Sequence, residues 1–271
     1  MSTPPGAAAQ AQIDAFEADA AQLAELVNSL EEADWQRVTL FKDWRVWDVI
    51  AHLHFTDHMG LTTLAGPEPF KALLKDMGSS GQSMATYVRD KLGDISGAEL
   101  SQRWQAGIAE LLAGLRAADP EVRLTWPGPG MKPRMFATAR QMETWAHGTE
   151  VFDLFNAPRS YHDRIENIVT IGARTYGWSF SNRKMTVPET VPHLSLTAPS
   201  GALWMINPER EDECIRGSAV GFCQVVTQVR NVQDTDLIVT GDNASAWMAI
   251  AQCFAGPPAD PPAPGARGGT Q

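Results

Sequence analysis

Two segments carry most of the side chains capable of chemistry. In residues 140–148, Glu143 and His147 stand four apart, so on a helix they share one face with about 6 Å between their Cβ atoms. That spacing lets a carboxylate and an imidazole hold one metal ion together. The same face carries Phe136, Ala139, Val151 and Leu154, which places the pair in the stripe that should point into a helical core. A buried polar group without a partner costs roughly 2 to 7 kcal/mol, so something must satisfy both. The second segment, residues 44–58, holds His52, His54 and His58. His52 borders the apolar stripe of Val49, Leu53, Thr56 and Met59, whereas His54 and His58 share a neighbouring face with Trp47 and Ile50. The residue pattern does not choose among the three. If His52 joins Glu143 and His147, the donors are two imidazoles and one carboxylate. Zinc accepts that set while keeping a fourth position for water or substrate, and non-haem iron(II) suits it as well.

Such groups must be held by a substantial scaffold. The chain has 271 residues, 44% of them hydrophobic and 9 of them Trp, enough for one large domain or two smaller ones without disulfide staples. Helical periodicity dominates residues 8–177, beginning with Ile13, Phe16, Ala20, Leu23, Val27 and Leu30 at intervals of three and four. Further helices are predicted over 46–61, 67–77, 84–92, 98–117, 134–155 and 163–180. Trp126-Pro127-Gly128-Pro129-Gly130 interrupts them, because proline lacks the amide donor and glycine favours loops. After Asn182 the pattern changes to a hairpin over 194–206, a helix over 218–229, a strand over 237–240 and a last helix over 243–254. The reading is therefore an α+β chain: a helical bundle over 1–185, a small α/β domain over 186–256, and a loose Pro/Gly-rich tail over 257–271.

Composition excludes several function classes. A formal charge of -10 offers no general basic surface for phosphates, so nucleic acid is not an expected partner. No apolar run reaches membrane-spanning length, and residues 1–10 do not read as a secretory signal. Cys214, Cys223 and Cys253 match neither a disulfide framework nor a metal knuckle, which points to a reducing cytoplasm. Cys223 sits among Phe222, Val225 and Val226 and reads as a packed, inert thiol. Trp44, Trp47, Trp104 and Trp145 fall at helical core spacing and read as packing residues.

Two motifs resemble the DinB-like metal-binding superfamily, in its mycothiol-dependent maleylpyruvate isomerase branch. One is Asp43-Trp44 followed by Trp47-Asp48-Val49-Ile50-Ala51-His52-Leu53. The other is Ala137-Thr138-Ala139-Arg140-Gln141-Met142-Glu143-Thr144-Trp145-Ala146-His147-Gly148. The likeness extends to Leu237-Ile238-Val239-Thr240-Gly241-Asp242 and Trp247. The resemblance implies a DinB-like four-helix bundle in which His52, Glu143 and His147 bind a divalent ion, usually zinc. It also implies a sterol-carrier-like α/β domain contributing an arginine, for which Arg230 is the matching position, and a low-molecular-weight thiol such as mycothiol as cofactor.

The expected chemistry is thiol addition, transfer or isomerisation on a small unsaturated acid or similar electrophile. Arg230 or Arg140 would pair with a substrate carboxylate through the guanidinium fork. A hydrolase or hydratase using metal-bound water, with Asp57 or His58 as base, is a second expectation. A non-catalytic, metal-stabilised binding protein is a third. In each case the partner is a small molecule, and the chain acts as a monomer or homodimer.

Overall fold

A computed structural model of the chain describes residues 5–128 and 130–267. Residues 1–4, Pro129 within the expected loop, and the last four residues of the expected tail lie outside the described residues. The chain divides between Ala157 and Pro158 into two compact units.

The first unit is built on four long helices, α1 (Pro5–Asn28), α2 (Val46–Leu64), α5 (Gly97–Ala117) and α6 (Pro133–Phe155), with the shorter α3 (Pro67–Ser79) and α4 (Met84–Leu92) beside α2. Their starts follow local chemistry. Pro67 and Pro133 stand in the first turns of α3 and α6, where a missing amide costs nothing. Ser83 and Ser96 cap α4 and α5 by accepting the amides of Thr86 and Glu99. The core joins Ile13, Phe16 and Leu23 of α1 to Val49, Ile50 and Leu53 of α2, Trp104 and Leu111 of α5, and Phe136 and Val151 of α6. Gly60 lets α2 approach α6, since a Cβ there would stand 2.9 Å from the Phe136 ring. That approach matters because the two histidine-bearing segments lie on these helices.

Helix α6 runs through the middle of the unit although many of its buried residues are polar, among them Arg140, Gln141, Thr144 and Thr149. Burial of such groups requires partners. The Gln141 side chain donates to Asp19 of α1 at 2.8 Å, and the Arg140 Nε donates to Asp57 of α2 at 2.8 Å.

The second unit contains a four-stranded sheet in the order β2-β1-β3-β4, from β1 (His193–Thr197), β2 (Leu203–Ile206), β3 (Cys214–Ser218) and β4 (Ile238–Thr240). The expected hairpin is β1 with β2, antiparallel with Leu194 opposite Ile206. β3 runs parallel to β1 and was not expected. Only Cys214 and Ile215 face a core there, too short a signal for a period-two pattern. The helix expected over 218–229 is α9 (Ala219–Val226), and the last helix is α10 (Asp242–Met248).

The last helix ends at Met248 rather than near 254, and two larger boundaries differ from the expected ones. Helices α7 (Glu166–Arg174) and α8 (Tyr176–Ser181) belong with the second unit, so the first ends at 157 rather than near 185. Gly172 shows why: α7 packs so closely on α9 that a Cβ would stand 2.9 Å from Val226. The tail is also tied down as far as it is described. Gln228 donates to the Ala259 carbonyl at 2.7 Å, Asn231 donates to Pro262 O at 2.9 Å, and Arg183 pairs with Asp260 at 2.8 Å. Proline-rich composition removes regular structure without removing acceptors for such donors.

Candidate metal centre

The site lies in the first unit, on facing turns of α2 and α6. The ligand atoms of His52, Glu143 and His147 all fall within 4.8 Å of one another. Each imidazole Nε2 stands 3.6 Å from Glu143 Oε2, and the two rings lie 4.7 Å apart between centroids. A distance of 3.6 Å is too long for a hydrogen bond. It is close to the edge of a tetrahedron around zinc, since ligands at about 2.1 Å keep their atoms about 3.4 Å apart. His52 Nε2 is moreover buried with no hydrogen-bond partner among the described residues. The donor set and the orphaned nitrogen both fit a divalent ion.

Electrostatics differ across the trio. Burial drives His52 down to about 4 against the opposing pull of Glu143. Burial also acts against the charged form of His147, but Glu143 and Glu150 outweigh it and push that imidazole up to about 9. Burial raises Glu143, yet the two histidines hold it well below the usual carboxylate range. Glu143 is therefore an anion facing two imidazoles of opposite tendency.

Sequence reasoning missed two parts of the surroundings. His147 Nδ1 faces Glu150 Oε2 at 3.6 Å, on the side of the ring away from Glu143. At that separation the two interact through charge rather than a hydrogen bond, and the signal was present as the i+3 spacing from His147. The second part is an aromatic wall. Trp44 stacks on His147 at 5.8 Å with 13° between planes and leans on His52 at 5.3 Å, and Phe41 meets His147 edge-on at 5.1 Å. These rings are carried by a tight turn in which Lys42 and Asp43 adopt positive φ values of 50° and 55°. Thr39 fixes the turn by donating from both its amide and its hydroxyl to the Trp44 carbonyl, at 2.8 and 2.9 Å. Trp44 thus faces the candidate ligands as well as packing.

The other expected candidates have contacts of their own. Arg140 is 3% exposed and Asp57 1%; their 2.8 Å contact, with Trp104 Nε1 donating to the other Asp57 oxygen at 3.2 Å, ties α2, α5 and α6 together. Burial raises Asp57, partly offset by Arg140. His54 and His58 line a separate cavity with Tyr87 and Lys91. Arg230 belongs to the second unit, where it is 6% exposed and donates through Nη1 to the Val229 carbonyl at 2.9 Å. Cys214, Cys223 and Cys253 are buried and form no disulfide. Among the described residues, no helix is long and apolar enough to cross a membrane.

Residues 16–152 match the family model described as the mycothiol maleylpyruvate isomerase N-terminal domain. Two proteins of Mycobacterium tuberculosis, from strains CDC 1551 / Oshkosh and ATCC 25618 / H37Rv, both named as uncharacterized, are each 33% identical over 241 residues. The match covers 89% of this chain and 94% of theirs. Among solved structures, the crystal structure of the mycothiol-dependent maleylpyruvate isomerase superposes with a TM-score of 0.53 at 15% identity, and a histidine-to-alanine mutant of it with 0.54 at 13%. Each alignment covers 79% of this chain and 86% of the other. The likeness of fold thus extends over most of the chain. Because that family model matches residues 16–152, just over half of the 271-residue chain, the chain belongs to the mycothiol maleylpyruvate isomerase N-terminal domain family.

Proposed function

We propose that the protein is a divalent-metal-dependent enzyme, with zinc as its ion, that uses a low-molecular-weight thiol such as mycothiol. The thiol adds to, is transferred to, or promotes isomerisation of a small unsaturated carboxylic acid or similar electrophile. The observation that carries this reading is the 3.6 Å spacing of both imidazole nitrogens from one Glu143 oxygen. When bound, the ion supplies Lewis acidity that lowers the pKa of a thiol or water at its open position.

The chain's own residues divide the remaining work. His52, Glu143 and His147 are the ligands, and the Glu150 carboxylate acts on His147 through its charge. Phe41 and Trp44 exclude water from the imidazoles. Arg140 and Asp57 hold α6 against α2, so that ligands from two helices meet. The role of Arg230 as partner for a substrate carboxylate rests on the family resemblance alone. The bases considered for a reaction of water are placed elsewhere: both oxygens of Asp57 accept hydrogen bonds inside the bundle, and His58 lines the cavity with His54. The small molecules and reducing conditions that thiol chemistry needs agree with a cytoplasmic enzyme.

Metal analysis of the purified protein tests the reading. Wild type should carry about one zinc per chain, as one three-ligand site requires, and His52→Ala and His147→Ala should each lose most of it. Mycothiol and maleylpyruvate supplied together should then be turned over by wild type alone. Full zinc content in both variants would refute the ligand assignment, and zinc binding without thiol-dependent turnover of any unsaturated acid would favour a binding protein.

A further inference from the structure

Beside the candidate metal centre lies a cavity of about 150 Å³ between α2 and α4. Its walls are Trp44, Trp47, Ala51, Met84, Ala85 and Val88, and His52 also lines it. Asp48 and Arg89 complete the lining, the Arg89 side chain being 46% exposed. Trp47 Nε1 donates to the Ile95 carbonyl at 3.1 Å. Asp48 accepts from Arg89 Nε at 2.8 Å and from Arg45 Nε at 3.0 Å, so its carboxylate is neutralised from both sides. His52 Nε2 is buried and has no hydrogen-bond partner among the described residues.

Such a cavity discriminates by chemistry. Most of its lining is apolar, with polar groups confined to Arg89, Asp48, His52 and the indole edges, so a carboxylate or hydroxyl set against the apolar part would lose its water without replacement. An apolar group loses nothing. Cavities of this size lined by apolar side chains accept benzene, and the two indoles favour a flat ring through stacking or edge contacts. We infer that this cavity is a specificity pocket, receiving a benzene-sized apolar group, aromatic or branched alkyl, of the thiol or electrophile whose reactive end lies at His52, Glu143 and His147. This rests on the reading of that trio as a metal centre and narrows the ligand class from any small unsaturated acid to one with an apolar body.

Benzene and a pair of thiols serve as probes of the zinc-loaded protein. Benzene should give a saturable change in tryptophan fluorescence, because Trp44 and Trp47 form the walls. Ala85→Leu, which extends a side chain from α4 into the cavity, should weaken benzene binding at least about tenfold, since one methylene in an apolar pocket is worth roughly 10- to 200-fold. Ala85→Ser, close to alanine in volume, should retain it. Zinc content, measured on the same samples, should be equal in all three. The link to the metal is read in cobalt(II)-substituted protein: 2-phenylethanethiol should produce the thiolate absorption band at lower concentration than 2-mercaptoethanol, and Ala85→Leu should erase the difference. Zinc-bearing protein that ignores benzene, equal benzene binding by wild type and Ala85→Leu, or equal response to the two thiols overturns the pocket while leaving the metal centre standing. Benzene binding by protein that takes up no metal overturns the metal centre, and with it the connection of this cavity to chemistry.

Discussion

Replacing Asp57 by asparagine preserves the shape of the side chain but leaves the Arg140 guanidinium as a charge 3% exposed with no counter-ion on Asp57. The buried contact is a charge-assisted bond of 2.8 Å, and breaking a buried pair from one side typically costs about 3–5 kcal/mol. In a unit of this size that corresponds to a melting temperature lower by roughly 6–20 °C. With the asparagine oxygen turned to the Trp104 indole, its NH2 meets Arg140 Nε donor to donor, so the loss combines a charge with a hydrogen bond. Asp57→Leu combined with Arg140→Met removes both charges and fills the space with apolar atoms. Such replacements are often neutral or stabilising, but this one leaves the buried Trp104 indole without its acceptor at about 1–3 kcal/mol, so the double variant should recover part of the single variant's deficit. Urea denaturation followed by tryptophan fluorescence measures both. A loss below about 1 kcal/mol for Asp57→Asn would mean that Arg140 finds other partners. A double variant no better than the single one would mean that volume or hydrogen bonding dominates the pair. In either case the bundle would not depend on this ion pair to join α2, α5 and α6.

Zinc uptake should release about one proton per chain at neutral pH, because His52 at about 4 is already neutral and Glu143 already ionised, whereas His147 at about 9 still carries its proton. Affinity should therefore rise with pH up to about 9 and then level off, and calorimetry in buffers of different ionisation enthalpy counts the proton; release of none at pH 7 would contradict the charge pattern. Glu150→Gln removes one of the two carboxylates that push His147 up, so zinc affinity should level off at a lower pH than in wild type, and an unchanged pH profile would remove Glu150 from the site. Asp48 is held below its ordinary value of 3.8: burial opposes ionisation, but Arg45 and Arg89 outweigh it. Its stabilisation is thus fully present above that value and lost as pH falls through the lower folded value. Wild type should exceed Asp48→Asn in urea stability at neutral pH, with the gap closing below about pH 4; a gap that persists under strong acid would show that the asparagine fails for a reason other than charge.

What could be read in the chain, and what could not, follows from the range over which each signal acts. Glu143 and His147 were legible because one helix fixes their separation, and the apolar positions around them show which way they face. His52 was different. It lies on the same helix as His54 and His58, and which of the three meets α6 depends on how α2 is rotated about its axis. Contacts far away in sequence decide that rotation, among them the close approach of Gly60 to Phe136 and the Asp57 contact with Arg140. The family motif supplied what periodicity lacked. The same limit explains the boundary at 157: periodicity in α7 shows that one face is buried, but only the approach of Gly172 to Val226 shows against what. Trp44 illustrates the converse, because core spacing was a correct but incomplete reading. Its indole packs and, through a turn with two residues at positive φ, also covers the imidazoles and lines the cavity beside them. A side chain at helical core spacing can therefore belong to a binding surface whenever the core itself contains the site, and in this bundle the polar face of α6 puts it there.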